Sequence, residues 1–84
     1  MTAKLIKRTQ TGVRIESSLL KVLKALAEYL DMSLGDLLEG IVLHSFEGKA
    51  PFDEETLAAI AGLKTVYGCE LDASHSHNMK EESA

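Results

Sequence analysis

The side chains best suited to metal chemistry are Cys69, His75 and His77, since thiolate and imidazole bind zinc, copper or nickel. Their spacing fits no standard site, and the stretch from Cys69 onward is mostly small, polar or charged. No metal and no cofactor are expected. His44 falls in an apolar helical pattern and reads as a packed or half-exposed residue rather than a ligand. Nothing supports catalysis either: no carboxylates pair on a rigid shared face, no glycine-rich phosphate loop occurs, and no Ser/His/Asp set can be tied together at this length. An enzyme is not expected. The chemistry that remains is electrostatic. Residues 1–24 hold Lys4, Lys7, Arg8, Arg14, Lys21 and Lys24 against Glu16 alone, a net +5, whereas residues 25–84 carry −9. The whole-chain charge of −4 conceals a basic contact surface on an acidic body.

The elements that must position this basic third have little chain to work with. Eighty-four residues make one small domain that buries only about 60% of its unfolded surface. A single cysteine excludes an internal disulfide, which points to a reducing cytoplasm. Apolar runs are broken by Lys, Glu, Asp or Gly, so neither a membrane span nor a secretory leader is expected. With disulfides and metal set aside, oligomerisation is the remaining common source of stability at this size.

Residues 1–8 read as a flexible basic arm. In residues 9–15, Thr9, Thr11, Val13 and Ile15 alternate with Gln10, Gly12 and Arg14, which predicts a short half-buried strand. It is the one strand in the sequence, and a lone strand cannot satisfy its backbone groups. Pairing with the same strand of a second chain is the simplest resolution. Leu19, Val22, Leu23, Leu26, Ala27 and Leu30 recur at helical spacing and predict a first helix over Ser17–Leu30, with Ser17 or Ser18 as N-cap. After Asp31-Met32, Ser33 and Asp36 mark a capping-box-like start to a second helix. Leu34, Leu37, Leu38, Ile41, Val42, Ser45 and Phe46 form its apolar face, and Gly48 stops it. Residues 48–68 comprise a linker and a third helix that starts at Asp53 and ends at Gly68. Residues 69–84 read as a disordered polar tail.

The stretch RTQTGVRIESSLLKVLKALAEYLDMSLGDLLEGIVLHSF resembles the Arc/MetJ/CopG ribbon-helix-helix repressors over residues 8–46. The likeness lies in the order of its parts: the segment VRIESSLLKVLKALAE, the turn Asp31-Met32-Ser33 and the Ser-Leu-Gly-Asp start of the second helix. It implies a mainly α fold with one short β-strand, with residues 9–47 as the ribbon-helix-helix domain. Two chains would intertwine as a homodimer through a two-stranded antiparallel ribbon, followed in each by a C-terminal helix. Val13, Ile15, Leu19, Leu23, Leu26, Leu37, Leu38, Ile41, Val42 and Phe46 would form the dimer core.

The implied activity is cytoplasmic transcriptional regulation by sequence-specific binding of double-stranded DNA, with the ribbon in the major groove. Gln10, Gly12 and Arg14 would read bases. Arginine can bridge O6 and N7 of guanine, and glutamine N6 and N7 of adenine. Gly12 has no side chain to read with, so the backbone would approach DNA closely there. Lys7, Arg8, Lys21, Lys24, Ser33 and the free amides at Leu34 and Gly35 would grip phosphate, the last three through the start of the second helix. Asp36 would oppose them by repulsion. The 52–68 helix is expected either to brace the dimer core or to bind a protein partner, as in antitoxins. A protein-interaction module is thus the competing function.

Overall fold

The computed structural model describes residues 3–82. Three α-helices follow one another: α1 (Ser17–Tyr29), α2 (Leu34–Phe46) and α3 (Glu54–Tyr67), with a one-turn 3-10 helix at Ala73–His75. No helix among the described residues is long and apolar enough to cross a membrane.

Each helix begins on a side-chain cap. Ser33 Oγ accepts from the Asp36 amide at 3.1 Å, and Asp53 Oδ1 from the Thr56 amide at 2.8 Å, as the sequence suggests. For α1 the cap is Glu16 rather than Ser17 or Ser18. Its carboxylate accepts from the Ser18 hydroxyl at 2.6 Å and from the Leu19 and Ser18 amides at 2.9 and 3.1 Å. These bonds, the Ser18 hydroxyl foremost, hold the Glu16 carboxyl below the usual glutamate range.

All three helices end in the same way. Residues Asp31, Gly48 and Gly68 take positive φ, and the next amide reaches back five residues. Met32 N–H donates to Ala27 O at 2.9 Å, Lys49 N–H to His44 O at 2.9 Å, and Cys69 N–H to Lys64 O at 2.8 Å. These are Schellman stops, for which glycine is the least strained residue. Asp31, at φ 57, performs the same turn without that freedom.

The core forms where the helical stripes meet. Leu26, Ala27 and Leu37 are buried together, with Leu23, Leu30, Ile41, Phe52, Ile60 and Leu63 packed around them. Leu26 is only 2% exposed. Val22 and Cys69 are also buried. α3 packs against α1 more extensively than α2 does, so Ile60 and Leu63 brace α1 directly.

The expected fold needs correction. The strand at 9–15 is absent: among the described residues there is no strand, and Thr9 to Arg14 form an irregular exposed segment. The fold is all-helical and lacks the ribbon of a ribbon-helix-helix protein. The physical reason is pairing. β-Branched residues favour a pleat, but a strand exists only with a ladder partner, and this chain offers none. The apolar residues expected to form a dimer core are divided on the single chain. Leu26 and Leu37 are buried and Leu23 and Ile41 pack against them, whereas Val13, Val42 and Phe46 stay exposed on the single chain. Ile15, Leu19 and Leu38 are half-buried.

The stretch read as a disordered tail begins instead with buried Cys69 and the closed turn Ala73–His75. Asp72 Oδ1 accepts from the Ser74 amide, and His75 Nδ1 from the Asp72 amide, so this turn is capped at both positions.

Candidate nucleic-acid interface

Residues 7–13 do not trail into solvent. They cross the front of α1 and α2 and leave a groove of about 770 Å³ beneath them. Of the residues expected to touch DNA, Lys7, Arg8, Gln10, Gly12, Lys24, Leu34 and Gly35 all border this groove. They come from three places in the sequence: the arm, the middle of α1 and the first turn of α2. Helix geometry leaves the Leu34 and Gly35 amides without intrahelical acceptors and puts the positive end of the α2 dipole at the groove. Ser33 Oγ, in its capping role, lies at the same end. A Cβ on Gly35 would come no nearer than 3.9 Å, to Ser33 Oγ, and one on Gly12 would meet nothing within 4 Å. The chain's own structure therefore imposes no steric need for glycine at position 12.

Three expected contacts do not line the groove: Ser33, which caps α2 beside it, Lys21 and Arg14. Lys21 is exposed on α1. Arg14 points elsewhere and pairs with Glu81 near the C-terminus. Alternation had put Gln10, Gly12 and Arg14 on one face. Without a pleat to enforce that period, the structure separates Arg14 from the other two.

Arg8 is occupied. Its guanidinium donates to both Glu39 carboxylate oxygens, at 3.0 and 2.8 Å, and to Asp36 Oδ1 at 3.1 Å. The hydrogen bond from Arg8, aided by its charge, holds the Glu39 carboxyl below the usual range, and the same partner raises Arg8 further. Asp36 thus opposes phosphate in a second way besides repulsion, by engaging one of the cations meant for it. Glu39 was missed as a participant, although its place three residues after Asp36 sets both carboxylates on one helical face. Glu81 carried no local signal, because it meets Arg14 from 67 residues away.

The remaining candidates resolve differently. Cys69 is buried, and no three metal-ligating side chains come together among the described residues. His44 Nδ1 donates to the Gly40 carbonyl at 2.7 Å on the exposed side of α2. On α3, Ile60 and Leu63 face the core, while Leu57 and Tyr67 point outward. Comparison with known proteins finds no family model, no curated protein and no solved structure that matches the chain.

Proposed function

We propose that the protein binds double-stranded DNA through the arm-and-α2 face, as a homodimeric transcriptional regulator. One observation carries this reading: seven residues selected for DNA chemistry border a single groove, at which the α2 N-terminus is also directed. Lys7 and Lys24 supply charge, the Leu34 and Gly35 amides and the Ser33 hydroxyl supply donors for phosphate oxygens, and the arm supplies side chains for base edges. Gln10 suits adenine, and Arg14, which lies outside the groove and must leave Glu81 to reach a base, suits guanine. What enters from the family likeness is the helix pair with its basic extension. The arm works as an irregular segment that follows the groove, not as a ribbon. The homodimer is supported by an apolar strip, Ile6, Val42, Leu43 and Phe46, that one chain leaves exposed.

The test is fluorescence anisotropy on mixed-sequence duplex DNA as salt is varied. Binding is expected at low salt. Lys24→Ala should reduce the logarithmic salt slope by about 0.9 per copy, and Arg14→Ala should cost about 1–3 kcal/mol on its preferred site. Failure of the wild-type chain to bind any duplex at low salt would sink the reading.

A further inference from the structure

The C-terminal segment follows a defined path back to Arg14, just before α1. Buried Cys69 fixes its start, and the Lys64 ammonium donates to the Leu71 carbonyl at 2.5 Å. The capped turn at Ala73–His75 comes next. Beyond it, Ser76 and Met79 border a cleft of about 370 Å³ whose floor includes Leu19, Val22 and Leu26 of α1 and Ile60 of α3. Met79 also borders the adjoining hollow together with Arg14, Ile15 and Glu81. The segment thus runs alongside α1 from the end of α3 to the arm, where the Glu81 carboxylate accepts from the Arg14 guanidinium.

We infer that residues 69–82 form an autoinhibitory strap whose Glu81 carboxylate occupies the Arg14 guanidinium that would otherwise contact DNA. The inference rests on the DNA-binding reading above. A carboxylate and the O6/N7 edge of guanine present the same pair of acceptors to an arginine fork, so only one can be held at a time. The strap carries a net charge of −3 over residues 69–82, against +5 over residues 1–24, so attraction favours the closed form. Its anchors at Cys69, Leu71 and the 3-10 turn keep Glu81 at high effective concentration beside the arm. Both partners of the ion pair are largely solvent-exposed, which makes the strap a weak latch that DNA or salt can open.

The test compares duplex binding by the full-length chain and three variants. Glu81→Gln should bind DNA about two- to fivefold more tightly at low salt, the range an exposed ion pair can account for, with the gap closing as salt rises. Glu82→Gln removes the same charge one residue along, from a side chain with no ion pair among the described residues, and should change affinity much less. In an Arg14→Ala background, Glu81→Gln should give no gain. Without DNA, Arg14→Ala should shift the backbone amide resonances of residues 79–82. If the wild-type chain binds DNA but Glu81→Gln binds equally well, or Glu82→Gln matches it, the strap is overturned and the DNA reading stands. Amide resonances unmoved by Arg14→Ala overturn it too. If neither the wild type nor Glu81→Gln binds any duplex, both inferences fail together.

Discussion

The two halves of this molecule use apolar surface to different extents. Where α1 meets α3, the helical stripes close on each other: Leu26 and Ala27 are buried, and Leu23, Ile60, Leu63 and Phe52 surround them. On the other half, α2 contributes one fully buried side chain, Leu37, and leaves Val42, Leu43 and Phe46 in the open. The same half carries the basic arm and the groove. An 84-residue chain has enough apolar surface for a minimal core, and here Leu37 and Ile41 of α2 join that core although the contact between α1 and α3 is the more extensive. The α2 half is left polarised between charge at one end and exposed hydrophobic side chains at the other, as a recognition surface would be.

The sharpest way to break the closed half is Leu26→Ala. At 2% exposure the side chain is buried, so the loss should be about 2–5 kcal/mol, measured by urea unfolding. That is a large share of the total stability of so small a domain. An unfolding midpoint that barely moved would mean that the α1–α3 contact is not the core.

The closed half can also be strengthened. Gly62 lies inside α3 with ordinary backbone, and a Cβ there would meet nothing within 4 Å. Gly62→Ala should stabilise by about 0.5–1 kcal/mol through helix propensity alone. A variant destabilised in urea unfolding would show that position 62 does not behave as an open helical site.

Phe46, on the open half, is 82% exposed. Phe46→Ser should therefore change the stability of an isolated chain by no more than about 0.5 kcal/mol. Sedimentation supplies the contrast: the wild-type chain should associate to a dimer at concentrations where the variant is monomeric. A variant that dimerises as well as the wild type would remove the α2 face from the interface.

What could be read in the sequence follows the range of the interactions involved. Ser33, Asp53, Gly48 and Gly68 act on backbone groups within a turn of themselves, so the bounds of α2 and α3 were legible. Glu16 was not, because Ser17 and Ser18 are the better-known caps and the longer glutamate reaches past them to the same amides. The alternation from Thr9 to Ile15 expresses a local preference that only a distant partner could realise. The groove was partly legible: Lys7, Gln10, Lys24 and Gly35 followed from charge and order, but the acids restraining Arg8 and Arg14 stand 31 and 67 positions away. No periodicity encodes such contacts.

The smallest effect probes how the arm is held to the open half. Arg8 joins it to α2 through Glu39 and Asp36, and its hydrogen bond lowers the Glu39 carboxyl. A carboxyl lowered by folding contributes stability above the ordinary glutamate range and loses it as pH falls through the lowered value. The arm should therefore be docked at neutral pH and released in acid. The Arg8 Nε–H resonance should shift as Glu39 titrates, and Glu39→Gln should abolish most of that shift. The unfolding midpoint should hardly respond, because the pair is solvent-exposed and outside the core. An Arg8 resonance flat across the acid range would mean that the arm is not latched to α2. A large loss of stability in Glu39→Gln would mean instead that the arm belongs to the core, and the division between the two halves would fail.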